Sequence, residues 1–150
     1  MLEFAVTLIL TVGSALLFVY WFRYTCLLIV SAKTAFDYAG EVAAANQLSF
    51  REVQSQLRQG AVELDALHAS LDRDYDVVTY LLKHAAQSSN EESSLEARML
   101  QMNYRVTGAW YQVSRRFSST FARQALEEMS LVIGHFANVM GERANCGAAA

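Results

Sequence analysis

The chain has 150 residues, a formal net charge of −3, no proline, seven glycines and two cysteines. Its basic residues are interspersed with acidic ones instead of massed, which excludes the basic face a nucleic-acid binder needs. With helix-breaking residues this scarce, an all-α fold of one domain plus any membrane segment is expected.

The first element is Phe4–Phe22, nineteen residues without a charge, bounded by Glu3 and Arg23. As a helix it would be roughly 28 Å long at 1.5 Å per residue, enough to cross the hydrocarbon of a bilayer. A cleavable signal peptide fits poorly, because the leading residues are acidic and Arg23 interrupts the apolar run before Val30-Ser31-Ala32. Thr7, Thr11 and Ser14 recur at i, i+4 and i+7, so one narrow stripe of this helix is small and weakly polar, a face on which helices can approach closely in lipid. Tyr20, Trp21, Arg23 and Tyr24 form an aromatic and basic collar of the kind found where hydrocarbon gives way to headgroups. Arg23 and Lys33 follow the apolar run, while only the α-amino group opposes Glu3 ahead of it. The expected topology is therefore single-pass, N-terminus out, with the C-terminal part in the cytoplasm.

Leu28, Ala32, Ala35, Ala39, Val42 and Asn46 repeat with four-three spacing, a heptad seam built mainly of alanine. Nothing but Gly40 interrupts this stretch, so one helix is expected to run from the membrane to about Ala45. Ser49-Phe50-Arg51-Glu52 has the form of a capping box and starts a second helix. Its stripe is Val53, Leu57, Leu64, Leu67, Leu71, Tyr75, Val78 and Leu82, with Gly60 the one soft point and Asp65, Asp72 and Asp76 on a different, solvated face. Gln87–Glu92 is a polar loop, and Ser93-Ser94-Leu95-Glu96 offers a second capping box. The third helix carries Leu95, Met99, Met102, Val106, Trp110, Val113 and Phe117. After a stutter near Ser118-Ser119-Thr120 the stripe resumes with Leu126, Met129, Ile133, Phe136 and Met140. Without glycine or proline at the stutter, a continuous but bent helix is expected. A short loop makes helices two and three an antiparallel hairpin.

The organisation expected is an anchor at 1–24, a juxtamembrane helix at 25–46, a helical hairpin at 47–142 with arms at 50–87 and 94–142, and a frayed tail at 143–150. The fold class is all-α, an N-terminal transmembrane helix continuing into an extended, coiled-coil-like hairpin.

Chemistry finds little purchase. No Gly-x-Ser-x-Gly elbow and no Gly-x-x-x-x-Gly-Lys loop occurs, and neither Cys26 nor Cys146 has a histidine near it in sequence. His68 and His84 project from nearly opposite sides of one helix, and the single Asp65/His68 pair is half of what a di-metal bundle requires. His135, with Phe136 and Met140 nearby, has the pattern of ordinary core. No catalytic residue, metal ligand, cofactor or small-molecule substrate is expected. The one charged feature is a row: Arg98, Arg105, Arg116 and Arg123, spaced 7, 11 and 7 apart, would project within about 20° of one another on an unbroken helix. Such a row suits an acidic partner or anionic lipid.

Seams on all three helices call for more apolar surface than one thin hairpin supplies. The expected function is therefore structural: a membrane-anchored scaffold or accessory subunit, held in the bilayer, that self-associates or joins other membrane-protein subunits. The residues carrying it would be Thr7, Thr11 and Ser14 in lipid, the seam of Leu28, Ala32, Ala35, Ala39 and Val42, and the stripe of the third helix. Two alternatives come from other classes, a signal-transducing membrane bundle and a metal- or haem-binding bundle; absorbance and metal content of the purified protein separate the latter.

Overall fold

A computed structural model describes residues 1–32, 36–60, 63–85 and 91–148, with side chains for all of these but 85, 91–94 and 147–148. The described residues are all-helical, with no strand, in the order α1 (Leu2–Ser31), α2 (Ala39–Asn46), α3 (Phe50–Arg58), α4 (Leu64–Ala85), α5 (Glu91–Ser114) and α6 (Ser119–Ala148). They form two compact units, Met1–Lys33 and Thr34–Ala150.

The first unit is α1, long and apolar enough to span a membrane. Its hydroxyls turn back on their own backbone: Thr7 Oγ1 donates to Glu3 O and Thr11 Oγ1 to Thr7 O, each at 2.8 Å. That satisfies both groups without a neighbour and leaves their small methyl-bearing side chains on the stripe. In the collar, the rings of Tyr20 and Tyr24 stack at 6.4 Å and Trp21 meets Tyr24 edge-on at 6.3 Å. The helix does not run on to Ala45. It ends at Ser31, where Ala32 takes ψ 122° and the Ser31 hydroxyl bonds to Leu28 O, so the four-three seam is cut after Leu28 and Ala32, and Ala35 lies outside the described residues. A second helix starts near Asp37, whose Oδ1 accepts the Ala39 N–H. A short carboxylate that bonds to the backbone two residues on favours a new helix start over continuation of an old one.

The second unit is built around α6. Ala122, Ala125, Leu126, Met129, Val132, Ile133, Phe136 and Ala137 are all buried, so this helix is apolar around most of its circumference and is enclosed, as such helices are. It packs against α2, α3, α4 and α5. Its small residues set how closely the neighbours come: Gly134 faces the Phe50 ring, and Gly141 lies against Tyr38 and Val42. Ala39 and Val42 of the alanine seam are thus covered by α6 of the same chain. Polar rungs hold this edge, with the Tyr38 N–H donating to Asn138 Oδ1 at 2.7 Å and Asn145 Nδ2 to the Tyr38 hydroxyl at 2.9 Å. The second of these lies past Gly141, in the stretch over which α6 runs on to Ala148.

The two long arms of the expected hairpin are each divided. The first breaks at Gly60, whose φ of +83° is open to glycine at little cost, and Arg123 Nη2 donates to its carbonyl at 3.1 Å. The second breaks over Arg115–Ser118, where Ser114 O accepts from both Phe117 and Ser118 and the Ser114 hydroxyl bonds back to Tyr111 O. Serine has tightened the last turn here without help from glycine or proline. The expected capping box at Ser49 is absent. Its N–H and hydroxyl both go to the buried Asp74 carboxylate, at 2.6 and 3.1 Å, while Glu52 pairs with Gln56. The expected loop lies mostly outside the described residues, and α5 already runs from Glu91.

Candidate docking interface

The helix that defines the candidate site is α5, because its two faces are filled contrary to hydropathy. Buried on it are Leu100, Asn103, Tyr104, Thr107, Tyr111 and Ser114, one aliphatic residue among five that carry polar groups. Facing outward are Leu95, Met102, Val106, Trp110 and Val113, continued by Phe117 in the following turn, between 43% and 84% exposed. At 100° per residue the two sets are separated by about 120°. The outward set is the apolar stripe of the third helix expected from the sequence, except for Met99, which is half-buried. Phe121 at the start of α6 extends it, its ring 6.5 Å from Trp110.

A polar clasp holds α5 in this rotation. Tyr111 donates its hydroxyl to Asp65 Oδ1 at 2.7 Å, Arg115 Nη1 donates to the same oxygen, and Tyr104 donates to Asp72 Oδ1 at 3.1 Å. Between these rungs His68 Nδ1 lies 3.1 Å from Asp72 Oδ2 and its ring stacks on Tyr111 at 4.6 Å. Tyr75 stacks on Tyr104 at 3.9 Å. Asp65 and Asp72, expected to be solvated, thus keep partly exposed carboxylates but serve as acceptors for α5. The rungs also tune their members. The hydroxyl of Tyr111 and the guanidinium of Arg115 hold the Asp65 carboxyl below the usual range. Burial first, then the Asp65 carboxylate, pushes Tyr111 up to about 12, and burial with Asp72 raises Tyr104 further. Burial and the two carboxylates favour the hydrogen-bonded, neutral tyrosine, while Arg115 pulls Tyr111 the other way.

The clasp costs apolar burial. Each large side chain left in water forgoes about 1.5–3 kcal/mol, and Asn103 Oδ1 and Thr107 Oγ1 are buried with no hydrogen-bond partner among the described residues, at about 1–3 kcal/mol each. Rotating α5 to bury Val106 and Val113 would recover some of this but break both carboxylate–tyrosine rungs. An exposed apolar face of this length is contiguous, unlike the singly scattered apolar residues of an ordinary surface.

The remaining residues singled out from sequence are dispersed. The turn at Arg115–Ser118 splits the arginine row: Arg98 and Arg105 share one exposed flank of α5, Arg116 sits in the turn, and Arg123 on α6 is engaged with Gly60. An open groove of about 540 Å³ at the end of the clasp is lined by Glu63, Asp65, Arg115 and Arg116, among others, a mixed-charge lining that selects no single sign of ligand. Among the described residues no three His, Cys, Asp or Glu side chains converge.

What sequence reading missed is the clasp itself, and the signal was present. Asp65 and Asp72 are seven apart, Tyr104 and Tyr111 are seven apart, and an antiparallel pair of helices sets them opposite one another two turns apart. Comparison with protein-family models, curated protein sequences and solved structures gives no match.

Proposed function

We propose that this chain is a membrane-anchored structural module that works by contact and not by turnover, α1 holding it in the bilayer and the outward face of α5 engaging what it assembles with. The observation that carries this is the inverted α5, with Val106, Trp110 and Val113 in the open and Asn103 and Thr107 inside. The enclosed α6 adds support, because it completes the core without needing the α5 stripe. In this proposal the chain crosses once, with the second unit on the cytoplasmic side as Arg23 and Lys33 favour. A reporter fused after Ala150 that works only on the opposite side would overturn that orientation.

The docking role is tested in native membranes by thiol labelling. In a Cys26→Ala/Cys146→Ser background, Val106→Cys on α5 and Arg73→Cys on α4 are both exposed positions. If the face is engaged, Val106→Cys reacts at least roughly tenfold more slowly with a bulky maleimide, the ratio that about 1.4 kcal/mol of shielding gives. Equal rates would show the face open and would end the proposal.

A further inference from the structure

Resting on the docking role above, we infer that the surface met by the α5 face is an anionic phospholipid headgroup layer. Charge decides among the occupants. Arg98 and Arg105 lie about 60–80° to one side of the seam, and Arg116 stands next to Phe117 at its end. Between Arg98 and Arg116 this edge carries Gln101, Ala109 and Gln112 and no acid, and Glu91 stands on it one heptad before Arg98.

A second copy of the chain is a poor complement to it. Taking Leu95 and Met102 as heptad d and Met99 and Val106 as a, the arginines occupy g, and a parallel copy would set Arg98 against Asn103 and Arg105 against Trp110. An antiparallel copy would set arginine against arginine. The parallel arrangement offers no opposite charge, and the antiparallel one brings Glu91 to an arginine only in registers that leave Val106, Trp110 and Val113 beyond the partner's α5. A sheet of phosphates neutralises Arg98 and Arg105 together.

The apolar part fits the same surface. Trp110, Phe117 and Phe121 with Leu95, Met102, Val106 and Val113 form the composition of helices that lie in the headgroup plane, aromatic and aliphatic below, arginine at the waterline. α1 supplies the second anchor that such shallow binding requires, in the same chain and long enough to span a bilayer. A bundle laid down on its α5 edge would leave its other faces open to subunits, which is how a scaffold is oriented on its own membrane.

Tryptophan fluorescence reads this directly, because the chain contains two tryptophans, and Trp21→Phe removes the one in α1. The full chain carrying that change is reconstituted into vesicles of phosphatidylcholine alone or mixed with phosphatidylglycerol, with and without brominated acyl chains. The expected result is blue-shifted Trp110 emission, quenched by bromolipid more strongly in the anionic vesicles. Arg98→Glu/Arg105→Glu should lower the ratio of lipid-seated to free bundle by at least about fivefold per arginine, with the helical circular-dichroism signal unchanged. Blue-shifted emission that bromolipid does not quench, and that fades as protein is diluted into lipid, would overturn the inference in favour of a second copy while leaving the docking role standing. Red, unquenched emission in every vesicle, or quenching indifferent to phosphatidylglycerol and to the double reversal, would overturn it as well. The thiol-labelling test in native membranes then decides separately whether the docking role survives.

Discussion

Gly141→Ala is the perturbation most sharply specified by the packing of α6. A Cβ built there collides with Tyr38 Cβ and comes within 3.3 Å of Val42 Cγ2. Tyr38 Cβ is fixed to the backbone, so no change of rotamer clears it and α2 itself must retreat. Inside a helix the substitution gains about 1 kcal/mol of propensity. Against this stand an overpacking cost of about 1–3 kcal/mol and the weakening of two bonds to Tyr38, from its N–H to Asn138 and from Asn145 to its hydroxyl, each worth about 1 kcal/mol. The net expectation is a loss of about 1–3 kcal/mol. Gly108→Ala is the matched control, since its new methyl would meet only Met129 Cε at 3.7 Å and His68 Nε2 at 3.9 Å, ordinary contacts. It should stabilise by up to about 1 kcal/mol. Thermal unfolding of the full chain in mild detergent, followed by far-ultraviolet circular dichroism, reports the second unit while α1 stays helical. For a unit near 100 residues the midpoint should move about 4–8 °C per kcal/mol, downward for Gly141→Ala and upward for Gly108→Ala. A Gly141→Ala chain as stable as the parent would refute the close approach of α2 to α6.

The inverted α5 makes a second contrast measurable in the same assay: Val106→Gln or Val113→Gln should change stability by no more than about 0.5 kcal/mol, whereas Leu100→Ala, a smaller loss of hydropathy at a buried position, should cost about 2–5 kcal/mol. Asp74→Ala strips the Ser49 N–H of its acceptor at the start of α3 and should cost about 1–3 kcal/mol, with Asp74→Asn recovering part of it because one acceptor oxygen remains. The clasp should give a signature at high pH. Tyr104 and Tyr111 are held neutral above the usual phenol value, so their contribution is complete below about pH 10 and lost as the pH rises toward and past the Tyr111 value of about 12. Denaturation midpoints measured across that window should fall with pH in the parent chain and fall less in Tyr104→Phe/Tyr111→Phe. An equal slope in both chains would count against the clasp.

Much of this architecture is written locally. A chain without proline, an uncharged run bounded by Glu3 and Arg23, and stripes stepping by three and four are enough to dictate an apolar N-terminal helix and an all-helical remainder, because helix length and amphipathicity depend on composition and spacing alone. The buried stripe of Leu67, Leu71, Val78 and Leu82 was legible for the same reason. Boundaries were less so. Asp37, Gly60 and Ser114 each end or start a helix through a few local bonds or one backbone angle, and such features compete with the helix by margins too small for periodicity to register.

Tertiary structure alone decided which face of each helix turns inward. On α5 the heptad is the more apolar face, yet two buried tyrosines and an arginine reaching the partly exposed carboxylates of Asp65 and Asp72 hold it outward through charge-assisted bonds. The same assembly gave α6 the centre, through small residues whose value appears only when Phe50, Tyr38 and Val42 lie against them. Hydropathy is a property of one segment; the choice of neighbour belongs to pairs of segments, and a pair exists only after the chain has folded.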